Sequence, residues 1–163
     1  MSLLKILLYP DPLLQEVSCE VDPSEAGIQD LVNDLVETLR GSHGVGLAAP
    51  QAGVLKRIVI VDVGPDNRGH GLLRLINPKI VFSSGKRKGR EGCLSIPEYR
   101  ANITRARRVH VEALTPEGEA ITIDARGFEA VALQHEIDHL EGILFLDRVT
   151  NMKRDLFRRE SGA

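Results

Sequence analysis

The sequence contains no tryptophan, and its few phenylalanines and tyrosines bring the aromatic share to only 4%. Surfaces that read single-stranded nucleic acid stack bases on aromatic rings, so that class of function has little to work with here. Neither sign of charge dominates: 21 basic residues face 23 acidic ones, and the overall field gives no reason to expect tight binding to nucleic acid or to an anionic membrane. No apolar run approaches the ~20 residues of a membrane span. The stretch Leu3–Leu8 is interrupted by Lys5 and stops at Tyr9-Pro10-Asp11-Pro12, without the small-residue cleavage site of a secretory leader. Two cysteines, Cys19 and Cys93, are too few for a disulfide framework; in a cytosolic chain they read as free thiols or as a metal ligand.

What remains is ordinary globular material. Hydrophobic residues make up 42% of the chain and charged residues 27%, far from the composition of disorder. A chain of 163 residues buries roughly 70% of the surface it exposes when unfolded, so one domain spanning residues 1–163 is expected. No repeat, low-complexity tract or linker divides it.

Ile28, Leu31, Val32, Leu35, Val36 and Leu39 recur at three- and four-residue spacing, which predicts an amphipathic helix with Ser24 as a candidate cap and Gly41 as its stop. Arg57–Val63 and Leu72–Phe82 are rich in β-branched residues and read as strands, the second broken at Asn77-Pro78. Val109–Leu114 and Ala120–Asp124 flank Thr115-Pro116-Glu117-Gly118, whose Pro and Gly suit a tight hairpin turn. Phe128–Leu140 has helical spacing between Gly127 and Gly142. The basic tail Lys153–Arg159 reads as a short C-terminal helix, first of all a solvated charged end. The expected fold is α+β, with antiparallel or mixed sheets packed around a central helix.

That central helix carries His135-Glu136-Ile137-Asp138-His139, an H-E-x-x-H sequence. Helical spacing places the two imidazoles on one face, about 5–6 Å apart at Cβ, within reach of one metal ion, with Glu136 beside it. Phe128, Val131 and Ala132 share that face and turn it inward. A catalytic metal usually has three protein ligands. In the extended form of this motif the third histidine would fall at Phe145, which cannot bind a metal, and Glu160 sits in a tail expected to fray.

Cys93 is the alternative donor. It lies in Glu91-Gly92-Cys93-Leu94-Ser95-Ile96-Pro97, where Gly and Pro hold an irregular backbone and let a thiolate approach an ion. A buried structural thiol is the plainer reading of any single cysteine, and Cys19 keeps it. A third segment, Gly44-Val45-Gly46-Leu47-Ala48-Ala49-Pro50-Gln51, is built of small residues that suit a loop or edge strand where a substrate backbone comes close, with Gln51 able to donate from its amide. A helix-to-strand connector explains the same composition equally well.

Together GVGLAAPQ (44–51), EGCLSIP (91–97) and QHEIDHLEG (134–142) resemble the three signature motifs of the peptide deformylases, in that family's order and spacing. The likeness extends over ILLYPDPLL (6–14), Asn77-Pro78 and RGFE (126–129). The resemblance implies an N-formylmethionyl peptide amidohydrolase that releases formate from new polypeptides. It implies that Cys93, His135 and His139 bind one divalent metal, natively Fe(II) and replaceable by Zn, Ni or Co. It further implies that metal-bound hydroxide attacks the formyl carbon with Glu136 as general base and acid. Gln51 and the backbone N–H of Leu94 would hold the oxyanion, and Arg100 would contact the substrate backbone.

Val45, Phe128, Val131 and Ala132 would then line an apolar pocket suited to an unbranched methionine side chain, with Gly46 beside the substrate backbone. Glu91 and Asp138 are candidates for orienting the histidines, against ion pairing with Arg105 or Arg107. Partners would be nascent N-formylmethionyl peptides, with a ribosome contact through Lys153–Arg159 as the tail's alternative use. No specific nucleic acid, no membrane and a monomer are expected. Formylmethionine initiation and the lack of a transit peptide favour a bacterial cytoplasm. Two rivals share parts of this pattern: a small zinc endopeptidase, which needs a downstream third ligand, and a non-catalytic metal-binding docking module, which needs neither Glu136 nor Gln51.

Overall fold

The computed structural model describes residues 3–159, so Glu160 lies outside the described residues. Helix α1 (Ile28–Arg40) buries Ile28, Val32, Leu35, Val36 and Leu39 along one stripe, as its apolar spacing requires. Its N-cap is Gly27 rather than Ser24. The Ser24 hydroxyl instead donates to Asp22 Oδ1 at 2.7 Å within the preceding turn.

A five-stranded antiparallel sheet follows, ordered β1-β2-β3-β6-β7, from β1 (Gly46–Ala48), β2 (Ile58–Val61), β3 (Leu73–Ser84), β6 (Arg108–Leu114) and β7 (Ala120–Arg126). Strand β2 divides the core. Its successive side chains point to opposite faces: Ile58 and Ile60 join α1, whereas Val59 and Val61 join α2 (Gly127–Leu140). All four are fully buried, each worth roughly 1.5–3 kcal/mol of hydrophobic stabilisation. The expected break at Asn77-Pro78 is a bulge: the register on β6 slips between Ile76 and Lys79, Asn77 takes φ 52°, and β3 continues to Ser84. The Asn77 amide secures the kink by pairing with both backbone groups of Val21.

A second antiparallel sheet, β4 (Arg87–Cys93), β5 (Ile96–Arg105) and β8 (Leu156–Arg158), is ordered β4-β5-β8. It covers a core of Leu14, Ile96, Ala101, Ile103, Leu144 and Phe145. The C-terminal helix expected over Lys153–Arg159 is only one turn, α3 (Met152–Asp155); beyond it the chain turns extended and pairs as β8 with the edge of β5. Exposed edge hydrogen-bonding groups offered by β5 outweigh the weak propensity of a short helix.

Helix α2 is not amphipathic. It is buried nearly all round, and its buried set includes Glu129, His135, Glu136, Asp138 and His139. Gly142 ends it with φ 72°, and a Cβ there would lie 2.4 Å from the Gln15 carbonyl oxygen, so only glycine lets the opening segment pack against this helix end. Among the described residues no helix is long and apolar enough to cross a membrane.

Candidate metal centre and substrate cavity

Burying so many ionisable groups on one helix is costly unless each has a partner, and the three sequence segments supply those partners. Segment 91–97 runs from the end of β4 into β5, where the register slips between Glu91 and Cys93. That irregularity directs Cys93 toward α2: its Sγ lies 3.4 Å from His139 Nε2. The donor atoms of Cys93, His135 and His139 all lie within 4.8 Å of one another.

His135 Nδ1 sits 2.9 Å from Glu91 Oε1. A carboxylate can only accept there, so Nδ1 carries the hydrogen and Nε2 keeps its lone pair for the cluster. His139 Nδ1 and Glu136 Oε1 are buried without a hydrogen-bond partner among the described residues. Two imidazoles and a thiol, with the orphaned Glu136 Oε1 beside them, fit a soft, nitrogen- and sulfur-binding divalent ion with one position left for water or substrate.

The electrostatics agree with that fit. Burial lowers the affinity of His135 for a proton, yet Glu136, Cys93 and Glu91 outweigh it and raise its pKa well above the usual value. The same negative surroundings that favour a proton there would favour a metal cation. Burial, with positive charge at His135 and Arg105, pushes His139 well below its usual value, leaving a neutral imidazole. Burial raises Glu136 to about 7, opposed by His135 and reinforced by Glu91. Burial would also raise Glu91, but hydrogen bonds from Arg105 and His135 outweigh it and hold that carboxyl at about 2.

Glu91 and Asp138 divide the roles expected of them. Glu91 orients His135 and also pairs with Arg105, whose Nε and Nη2 donate to its two oxygens at 2.8 and 2.9 Å. Asp138 touches neither histidine; it accepts from Arg105 Nη1 at 2.6 Å and from Arg148 Nε and Nη2 at 2.5 and 2.8 Å. Arg107 takes no part and donates to the Lys86 carbonyl. Arg105 is buried, so this is an interior lattice of charge-assisted bonds behind the cluster.

Segment 44–51 forms edge strand β1 followed by a 3-10 turn, Ala49–Ala52. The Ala48 N–H donates to Gln51 Oε1 at 2.9 Å, which turns Gln51 Nε2 toward Ser95 Oγ (3.1 Å) and Cys93 Sγ (3.5 Å). The opening segment ties the two loops together: Leu7 N–H donates to the Gln51 carbonyl and Tyr9 N–H to that of Ser95. Leu94 lies in the short turn between β4 and β5. Gly46 packs against the acid, since a Cβ there would stand 2.5 Å from Glu136 Oε2.

A cavity of about 310 Å³ opens over this group. Val45, Gly46, Phe128, Val131, Ala132 and Arg100 all line it, together with Gln51, Cys93, His135 and Glu136. Cys19, expected as a buried thiol, is exposed, because it sits on a connecting segment bridged to Lys56. Sequence reasoning missed Ser95 and Arg148. Ser95 stood inside a quoted motif and is fully buried; Arg148 lies ten positions beyond Asp138 on another element, with no periodic signal to mark it.

Comparison with known proteins agrees with this architecture. The family model for polypeptide deformylase matches residues 3–155. The chain is 43% identical over 160 residues to a peptide deformylase of Thermodesulfovibrio yellowstonii, covering 98% of this chain and 97% of that protein. It is 52% identical over 139 residues to one from Acetivibrio thermocellus, covering 85% and 79%. A crystal structure of peptide deformylase from Ehrlichia chaffeensis in complex with actinonin superposes with TM-score 0.88 at 43% identity, covering 94% of this chain and 92% of that one. A Met-Ala-Ser-bound class I type b deformylase from Acinetobacter baumannii gives 0.85 at 33%, covering 91% and 99%. By sequence over nearly its whole length and by fold, the chain belongs to the polypeptide deformylase family of hydrolases.

Proposed function

We propose that this chain is a single metallo-amidase domain that removes the N-formyl group from formylmethionine at the start of new polypeptides. The observation that carries the reading is the convergence of Cys93, His135 and His139 beside the buried Glu136 carboxyl, at the floor of a cavity with an apolar wall. A divalent ion held there, Fe(II) natively with Zn, Ni or Co as substitutes, would polarise the formyl carbonyl and acidify a water molecule.

The remaining work falls to the protein. Glu136 takes a proton from the attacking water and returns it to the departing amine, so that water and formyl amide become formate and a free amino terminus. Gln51 is held by Ala48 with its N–H groups toward the cluster, and with the Leu94 N–H it stabilises the charge that develops on the formyl oxygen; such a donor is typically worth ~3–4 kcal/mol in the barrier. Val45, Phe128, Val131 and Ala132 receive the methionine side chain. The small residues around Gly46 let the substrate backbone approach, and Arg100 binds it further out. The chain acts as a cytoplasmic bacterial monomer, and Lys153–Arg159 is the segment through which a ribosome would be met.

Formate release from formyl-Met-Ala-Ser tests the reading. Metal-loaded protein is expected to release formate and to spare the acetylated peptide, and Glu136→Ala is expected to lose at least about 100-fold in kcat. Cleavage of internal peptide bonds without formate would instead identify an endopeptidase, and bound metal without turnover would identify a docking module.

A further inference from the structure

The mouth of the cavity is basic on one side. Arg90, Arg100 and Arg159 all line it, and all three are exposed. They come from three different strands or strand ends, brought together by the β4-β5-β8 sheet. Arg90 opposes Asn102 and Arg100 opposes Phe157 in the registers, so both project from the face opposite buried Ala101 and Ile103.

Their positions are fixed. The Arg90 guanidinium carbon lies over the Phe157 ring, 4.2 Å from its centroid; a cation–π contact of this kind places the charge without neutralising it. Arg100 runs across Gly92, where a Cβ would meet its Cγ at 3.6 Å, beside Cys93. Arg159 is anchored by its backbone N–H to the Glu98 carbonyl at 2.7 Å. Neither Arg90 nor Arg100 has an ion pair among the described residues. The acidic groups that line the cavity, Glu91 and Glu136, are buried at its floor, and Glu91 is committed to Arg105. Glu98, exposed on β5, is an acid two positions from Arg100 on the same strand.

We propose that this arginine rim makes the enzyme prefer nascent chains with aspartate or glutamate shortly after the formylmethionine. The inference rests on the deformylase reading: with the formyl group at Cys93, His135 and His139 and the methionine in the apolar pocket, the following residues leave through the mouth these arginines line. The preference is electrostatic and solvent-exposed, so it is worth a few-fold per arginine and is screened as ionic strength rises past the point where the Debye length falls below ~8 Å.

The experiment compares kcat/KM for formyl-Met-Ala-X-Ser and formyl-Met-Ala-Ser-X, with X as Asp, Ser or Lys, on the metal-loaded full chain at about 20 mM and 500 mM salt. At low salt Asp is expected to exceed Lys by about tenfold in at least one position, mostly through KM. High salt should reduce the ratio to below about threefold. Arg90→Gln and Arg159→Gln should each lower the low-salt Asp-to-Lys ratio by a factor of two or more. Equal rates for Asp and Lys at low salt, or a ratio unmoved by both substitutions, overturn the inference. The Ser peptides separate the two failures: if they too release no formate, it is the deformylase reading that falls.

Discussion

One added methyl group at Gly46 tests whether the position of Glu136 governs the rate. Gly46 is buried in β1 and its backbone is paired with Val61 of β2, so the strand is held on its far side by a fully buried neighbour. A Cβ at this position would lie 2.5, 2.8 and 2.9 Å from Oε2, Cγ and Cδ of Glu136, where ordinary contact begins at 3.4 Å. In a close-packed interior the deficit is met by the side chain that can turn, and Glu136 is therefore displaced by about 0.5–1 Å. A misplacement of that size costs up to ~100-fold in rate, or about 2.7 kcal/mol of barrier. Steady-state formate release by Gly46→Ala should show this in kcat, with metal content unchanged because the three atoms nearest the new methyl all belong to Glu136. The double variant Gly46→Ala, Glu136→Ala should be no slower than Glu136→Ala alone, since both act through one group. A kcat within threefold of the parent, or full additivity in the double variant, would refute the reasoning.

Three further outcomes follow from the charge lattice and the donor cluster. Arg105→Met removes the two guanidinium bonds of buried Glu91, leaving it His135, whereas Asp138 keeps Arg148, and removing one partner from a buried pair costs about 3–5 kcal/mol; chemical denaturation should show that loss, and adding Glu91→Gln should recover part of it, whereas a single-variant loss under 1 kcal/mol contradicts the account. Asp155 is held at about 2, below its usual 3.8, by its hydrogen bond from Arg154 against the opposing effect of burial, with further help from Lys88 and Asn102. A depressed acid stabilises the fold above its unfolded pKa and ceases to do so as pH falls through the folded one. The stability gap between parent and Asp155→Asn should be full above pH ~4 and close toward pH 2, and a gap constant across that window speaks against the pairing. Chelation should lower the melting temperature in proportion to the logarithm of metal excess over Kd, about 4 kcal/mol at a thousandfold excess, and Cys93→Ala should abolish that dependence; an identical melting curve with and without chelator excludes the ligand set.

The sequence made some of this legible because local pattern and tertiary role coincide. The apolar stripe of α1 and the turn chemistry of Thr115–Gly118 each carry their meaning within a few residues, and both elements form where that pattern places them. The second sheet was illegible for the opposite reason. Strand β4, Arg87-Lys88-Gly89-Arg90-Glu91-Gly92-Cys93, has no alternating apolar face, and its inward residue Glu91 is charged. It becomes a strand only because β5 offers it a ladder and Arg105 offers it a counter-charge, neither of which is near in sequence. The same blindness explains α2. One inward face was expected of that helix, but Glu129, of which nothing was expected, is buried as well and is capped by His70 from a distant loop.

These misreadings share a cause that bears on function. Local rules assign charged residues to solvent, and a site that needs charge in a dry interior must violate them. Arg105 and Arg148 match Glu91 and Asp138 charge for charge, so the lattice behind the cluster is neutral and serves to hold the His135 ring and α2 in place. What it leaves unpaired is the front: Glu136 and Cys93 line the cavity, and Glu136 Oε1 has no hydrogen-bond partner among the described residues. Burial holds the Glu136 carboxyl at about 7, and a buried acid of this kind is tolerated if a cation arrives or a proton stays. The neutral lattice and the donor cluster in front of it are thus one device. The first holds the geometry without inviting a metal itself, and the second gathers beside the cavity the three donor atoms that could hold one.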